Sequence, residues 1–77
     1  MDVRRAFGER VRRLRLQRRL SQEALAERAG LHWTYISGVE RGRRSPGLNV
    51  IAKLAAALHV TLGKLVEGLD YDRPPRL

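Results

Sequence analysis

Apolar residues recur at helical spacing in the first part of the chain. The stripe that they draw consists of Val3, Phe7, Val11 and Leu14. Steps of four, four and three residues place these side chains on one face of an α-helix. Arginines occupy most of the positions off this stripe. The pattern predicts a first helix from residue 2 or 3 to about residue 18, with one buried face.

Two shorter amphipathic segments follow, each with a start and a stop signal. Ser21 is a good N-cap for a second helix over residues 22–29, which ends at Gly30. A third helix is predicted over about residues 32–41. Gly30 accepts the positive φ of a tight turn, and the small Ala26 lets two helices approach closely. This pattern indicates a helix-turn-helix, whose second helix is suited to the major groove of DNA.

The rest of the chain predicts two more helices and a tail. After a glycine- and proline-containing loop, apolar spacing indicates a fourth helix over about residues 48–58, with His59 where a glycine C-cap is expected. Thr61 caps a short fifth helix over about residues 62–66. We therefore expect an all-α, compact five-helix domain at residues 1–69, with its dimerisation surface at the C-terminal end, and a flexible tail at 70–77.

Composition narrows the classes of protein that this chain can represent. A length of 77 residues allows one domain, and the absence of cysteine excludes disulfides and thiolate metal sites. No metal-ligand cluster, phosphate loop or catalytic constellation is evident, since His32 and His59 have no acidic partner nearby in sequence. We expect no enzyme activity, no cofactor and no metal. The lack of a membrane-spanning run favours a cytoplasmic protein.

Positive charge is concentrated at the N-terminus. The formal net charge is +8, and residues 1–19 carry eight arginines against Asp2 and Glu9. A field of this sign attracts polyanions and makes binding to a duplex depend strongly on salt. A solvated helix surface is the alternative interpretation. Beside a helix-turn-helix, the charge supports nucleic-acid binding.

Several short motifs are similar to those of a known family. They include Leu20-Ser21-Gln22, Leu25-Ala26, Ala29-Gly30, Ile36-Ser37, Glu40-Arg41-Gly42 and the run from Ile51 to Leu58. Over about residues 5–67 the chain resembles the lambda-repressor-like helix-turn-helix domains of phage repressors, Cro-type proteins and their bacterial relatives. Residues 34–42 more narrowly resemble the controller proteins of restriction–modification systems. This resemblance implies a regulator that activates or represses transcription in a bacterium or phage, with RNA polymerase as a further partner.

Candidate DNA contacts lie on the outward face of the third helix and beside it. Base contacts are predicted for Trp33, Thr34, Tyr35, Ser37 and Gly38, since residues 36 and 39 face inward. Phosphate contacts are predicted for Gln22, His32, Arg41, Arg43 and Arg44. Gln22 is assigned by its resemblance to the family's phosphate-binding glutamine. Alternatives stay open: Trp33 packing on a neighbouring helix, a phosphate contact for Tyr35, a plain helix-start role for His32, and a solvated arginine loop.

Two further sets of residues have structural roles in this interpretation. Arg15 and Glu40 each border an apolar stripe and resemble the family's semi-buried ion pair. Apolar side chains left near the C-terminus predict a homodimer interface formed by Val60, Leu62, Leu65, Val66 and Leu69. The alternative is that Leu62 and Leu65 complete the monomer core. The expected function is sequence-specific binding of a palindromic double-stranded operator; an antitoxin or phage-type repressor with a protein partner is the second hypothesis.

Overall fold

The computed structural model describes residues 2–70, which form five α-helices joined by short connections and contain no strand. The helices are α1 (Val3–Gln17), α2 (Gln22–Ala29), α3 (Trp33–Glu40), α4 (Leu48–Ala57) and α5 (Leu62–Val66). The five-helix, all-α prediction is confirmed. The bounds of α2 and α5 are as predicted, whereas α1, α3 and α4 lose terminal residues that act as caps.

Polar side chains cap the starts of α1, α2, α3 and α5 by accepting hydrogen bonds from the first turn. The Oγ of Ser21 accepts from the backbone N–H of Ala24 at 2.9 Å, and the Oγ1 of Thr61 accepts from that of Lys64 at 3.0 Å. These bonds satisfy backbone donors that have no partner within the helix. Gly30 ends α2 at φ 67°, and His59 follows α4 at φ 57°. His59 thus adopts the left-handed conformation that its position predicted.

All five helices contribute to a single core. The side chains that are fully shielded from solvent are Val11, Leu25, Ile36, Val39, Leu54, Leu58 and Leu65. Helix α3 packs against α1 and α2, while α4 packs on α2 and α5 lies against α4 and α1. Since Ile36 and Val39 occupy the inner side of α3, the opposite side of this helix is left on the molecular surface.

The crossing of α1 with the end of α3 depends on a glycine. A Cβ at Gly8 would overlap the carbonyl oxygen of Val39 and lie 2.8 Å from that of Glu40, so α1 meets the end of α3 backbone to backbone. Gly42, at φ 72°, continues this contact, because a Cβ there would lie 3.0 Å from the Cα of Arg5. Only glycine permits such an approach. The turn positions of Gly30 and Gly42 were readable in the sequence, but the crossing at Gly8 was not.

Near the C-terminal end of the described residues, one predicted surface residue is buried and α5 is bonded to α1 by a contact that was not predicted. Leu65 is completely buried in the monomer, which rules out the predicted place for it on a dimer surface and supports its alternative role in the core. The guanidinium of Arg10 donates to the carbonyl oxygens of Lys64, Leu65 and Glu67 at 3.2, 3.2 and 2.7 Å. These bonds satisfy backbone acceptors at the end of α5 and tie it to α1.

The remaining sequence-based boundaries concern the ends of the chain. Asp70 is exposed and non-helical, and the rest of the predicted tail, residues 71–77, lies outside the described residues. Among the helices that the structure describes, none combines the length and the apolar character needed to cross a bilayer.

Candidate nucleic-acid interface

Helix α3 presents its first turn to solvent. Trp33 is 47% exposed and Thr34 is exposed, whereas Tyr35 and Ser37 are half-buried on either side of the helix. The ring of Trp33 stacks loosely on His32, with centroids 6.3 Å apart and planes 27° from parallel. It borders a cleft of about 400 Å³ that Ser21, Gln22 and Glu23 line at the start of α2. The half-exposed indole is therefore available to a partner, beside the backbone amides of another helix start.

His32 organises the start of α3 and determines which way the Thr34 hydroxyl points. The His32 Nδ1 accepts from the backbone N–H of Thr34 at 3.2 Å, so this nitrogen carries no hydrogen. The Thr34 Oγ1 lies 2.8 Å from the same Nδ1 and must therefore donate to it. With its hydrogen engaged, the exposed Thr34 hydroxyl is left as an acceptor. His32 thus acts as the N-cap of α3, which is its alternative, helix-start role.

The predicted base contact at Gly38 is wrong. It is buried rather than open to DNA, and a Cβ there would lie 2.9 Å from the Cγ of Arg44. The Arg44 guanidinium continues across α3 to the ring of Tyr35, with its Cζ 5.8 Å from the ring centroid. Gly38 therefore makes room for an arginine stem instead of a base edge, and Tyr35 supports the cation at its end.

The expected pairing of Arg15 and Glu40 is present as a buried, two-pronged ion pair. The Arg15 Nε donates to Glu40 Oε2 at 2.6 Å, and its Nη2 donates to Oε1 at 2.9 Å. A third bond runs from Nη1 to the carbonyl oxygen of Leu20 at 2.8 Å. The hydrogen bonds to Glu40 raise the pKa of Arg15, against the effect of burial, so the guanidinium stays charged. The pair joins α1 to the end of α3.

Gln22 connects this ion pair to the surface. Its Nε2 donates to Glu40 Oε1 at 3.2 Å, which fixes the amide at the start of α2. The second hydrogen on the same nitrogen can still donate to a phosphate. Within residues 2–70, no buried side-chain nitrogen or oxygen lacks a hydrogen-bond partner. The network is therefore complete without any ligand.

The predicted phosphate-binding arginines lie where α3 ends. Arg41 and Arg43 are exposed, as is most of the loop that follows. The backbone N–H of Arg43 donates to the carbonyl oxygen of Gly38 at 2.9 Å, which holds the loop close to α3. Arg41 faces a wide cleft that α1 shares, and Arg12 lies on the other side of it. In the sequence, Arg12 is one of several arginines off the apolar stripe, and nothing in its spacing indicates this position.

The predicted dimer surface is only partly exposed. Leu62 is 38% exposed, whereas Val60, Val66 and Leu69 are half-buried and pack against the core. Val66 and Leu69 also line a small apolar cleft of about 180 Å³ between α1 and α4. Among the described residues, no group of three or more acidic or histidine side chains is arranged to hold a metal ion.

Comparison with known proteins places this geometry in a family. The family model described as helix-turn-helix matches residues 11–65, which contain all of α2, α3 and α4 and most of α5. The chain is 46% identical over 75 residues to the control protein C.SmaI of Serratia marcescens, covering 95% of this chain and 89% of the relative. It is 47% identical over 60 residues to the control protein C.BamHI of Bacillus amyloliquefaciens, covering 77% of this chain and 74% of the relative.

A solved structure agrees with these sequence matches. The restriction-modification controller protein C.AhdI of Aeromonas hydrophila superposes with a TM-score of 0.79 and 47% sequence identity, covering 80% of this chain and 94% of that one. The predicted resemblance is thereby confirmed. This chain belongs to the helix-turn-helix family of DNA-binding transcription regulators.

Proposed function

We propose that the protein is the controller of a restriction–modification system, which binds a two-fold symmetric operator as a homodimer and regulates transcription. The observation that carries this proposal is the recognition helix α3, which exposes Trp33 and Thr34 while the buried Arg15–Glu40 pair holds its other end. The similarity to control proteins of two bacteria supports the regulatory assignment.

The proposed contacts with DNA divide into base readers and phosphate clamps. Trp33 offers an apolar surface to thymine methyl groups, and Thr34 offers an acceptor to adenine N6 or cytosine N4. Gln22, Arg41 and Arg43 contact phosphates, which orient the domain without reading sequence. Tyr35 and Arg44 act together, because the Tyr35 ring supports the arginine that reaches the backbone.

A second copy of the chain is needed to read a symmetric site. In a two-fold dimer, the two recognition helices would enter the major groove about 34 Å apart, or one helical turn of DNA. The contact surface that we propose consists of Leu62 with the exposed parts of Val60, Val66 and Leu69. Regulation from the bacterial cytoplasm, with RNA polymerase as a further partner at the promoter, goes with this proposal.

The dimer is tested by placing a charge on α5. Leu62→Glu puts a carboxylate in the first turn of α5, where a negative charge suits the helix, so the monomer fold should be retained. Leu16→Glu is the matched control, since Leu16 is 51% exposed on α1 and is not part of the proposed contact surface. Analytical ultracentrifugation should show a weaker dimer for Leu62→Glu alone. Equal association of both variants, or a wild-type monomer at all concentrations, would refute the proposed interface.

The regulatory role is tested by footprinting bound DNA across the source genome. We expect a small number of strong sites with two-fold symmetry, upstream of a restriction–modification gene pair. Sites without symmetry, or sites beside unrelated genes only, would contradict the controller assignment. Recovery of the protein with one stoichiometric protein partner would support the antitoxin interpretation instead.

A further inference from the structure

A wide cleft runs between α1 and the end of α3, next to the recognition surface. Its volume is about 590 Å³. Helix α1 contributes Arg5 and Arg12, and the helix-turn-helix contributes Gln22, Ser37 and Arg41. The cleft is therefore continuous with the face of α3 that is proposed to meet DNA, although α1 lies outside the helix-turn-helix itself.

Most charged side chains around the cleft already have an oppositely charged neighbour. Arg5 Nε lies 3.8 Å from Glu9 Oε1, Arg4 Nε lies 3.9 Å from Asp2 Oδ1, and the Glu40 carboxylate is engaged by Arg15. Arg12 and Arg41 differ, because both are exposed and neither makes an ion pair within residues 2–70. The cleft thus presents two cations to solvent, one from each of its walls.

The shape of the major groove determines what these two cations would meet. The groove is about 12 Å wide and a helix with its side chains is about 10–12 Å across, so α3 would fill it from wall to wall. Each wall is the phosphate backbone of one strand. One flank of α3 carries Ser37 and Arg41 beside the cleft, and the other flank carries Tyr35 and Gly38 beneath Arg44. The cleft therefore borders one strand and the Arg43–Arg44 loop borders the other.

We infer that Arg12 of α1 is a DNA-backbone contact, which binds a phosphate of the strand on the cleft side of α3, opposite the strand bound by Arg43 and Arg44. This inference rests on the proposed DNA binding and extends its surface from the helix-turn-helix to α1. The charge of Arg12 and the continuity of its cleft with the recognition helix identify the occupant as a phosphodiester backbone. The contact should be independent of base sequence, because a phosphate oxygen carries no information about the bases.

The test is a salt titration with a random-sequence duplex, which isolates phosphate contacts. Wild type, Arg12→Gln and Arg28→Gln are titrated against a fluorescein-labelled 30-base-pair duplex at several salt concentrations. Arg28→Gln is the matched control: it removes the same charge from an exposed residue at the C-terminal end of α2, whose N-terminal end carries Gln22. Thermal melts of all three proteins establish that each is folded.

The expected result is a loss of about one unit from the log–log slope of affinity against salt for Arg12→Gln, with the wild-type slope retained by Arg28→Gln. Equal slopes for the two variants would overturn the inference, since general charge would then explain any loss of affinity. If the wild-type protein failed to bind duplexes at any salt concentration, the proposed DNA binding itself would fail. The two failures are therefore distinguishable.

Discussion

The two ends of α3 have opposite environments. At its C-terminal end, Glu40 is buried, paired with Arg15 and crossed closely by Gly8 of α1. At its N-terminal end, Trp33 and Thr34 are exposed, and both contact the His32 cap. One eight-residue helix thus has one end in the core and the other in solvent.

The buried end of α3 therefore orients the helix, whereas the exposed end is left for recognition of a partner. Contacts at the buried end determine the angle at which α3 leaves the domain, and they are complete before any ligand arrives. Side chains at the exposed end contribute little to folding, which leaves them available for a partner. Substitutions at the buried end should therefore lower the free energy of unfolding, whereas substitutions at the exposed end should change binding alone.

Glu40→Ala should give the largest effect, at the buried end. Removing the carboxylate leaves the buried Arg15 guanidinium with one carbonyl partner, so we expect a loss of about 3–5 kcal/mol in the free energy of unfolding. Urea denaturation measures this loss of stability. Glu27→Ala, which removes an exposed carboxylate from α2, is the control. A similar small effect for both variants would mean that the pair does not support the domain.

Gly8→Ala should have the second-largest effect on stability. The new methyl group would overlap backbone oxygens of α3 that cannot rotate away, so α1 must shift and the protein should lose about 1–3 kcal/mol. Gly63→Ala is the contrasting variant, because nothing lies within 4 Å of a Cβ there and alanine favours α5. Thermal melts should show a lower Tm for the first and an unchanged or higher Tm for the second. The reverse order would refute the close crossing.

Thr34→Val moves the test to the exposed end. Valine keeps the shape and removes the acceptor that His32 orients, so preference for an adenine or cytosine at one operator position should fall by about 1–3 kcal/mol, with stability unchanged. Selection from a randomised duplex library measures this preference, and Thr34→Ser should retain it. If Thr34→Val lowered the stability and left the base preference unchanged, the exposed end of α3 would have a structural role and the proposed difference between the two ends would be wrong.

Arg43→Gln should have the smallest effect on recognition. Arg43 is exposed and its position is held through its backbone N–H, so the substitution removes a charge without disturbing the loop. We expect all duplexes to be weakened alike and the slope of the salt dependence to fall by about one unit. A change in base preference would instead make Arg43 a reader of sequence.

Residues that act through local rules were readable from the sequence. Ser21, Gly30 and Thr61 mark helix ends by their own chemistry. The pairing of Arg15 with Glu40, 25 residues later, was predicted because each charge borders an apolar stripe and the two resemble an ion pair of the family. Arg10, in contrast, appears in the sequence as one more arginine. Its bonds to the end of α5 span more than fifty residues, and no local pattern records them.

The two corrected predictions also depended on contacts that the spacing within one helix does not show. Leu65 is apolar and near the C-terminus, which suits a dimer surface and a core equally until α5 is seen to pack against α1 and α4. Gly38 was expected to admit a base edge, but an arginine six residues later occupies its free volume. In both cases the sequence showed the chemical character of the residue but did not show which part of the chain packs against it.

By itself, the sequence determined that this chain forms five helices and contains a helix-turn-helix, because apolar spacing, caps and left-handed turn residues act over a few residues at a time. Only the tertiary structure decided which side chains remain available to DNA. The position of Arg12 across from Arg41 depends on how the helices cross, and the cover over Gly38 depends on how the loop that carries Arg44 folds back on α3. Those crossings are set by backbone contacts, such as that of Gly8 with α3, that sequence spacing does not encode.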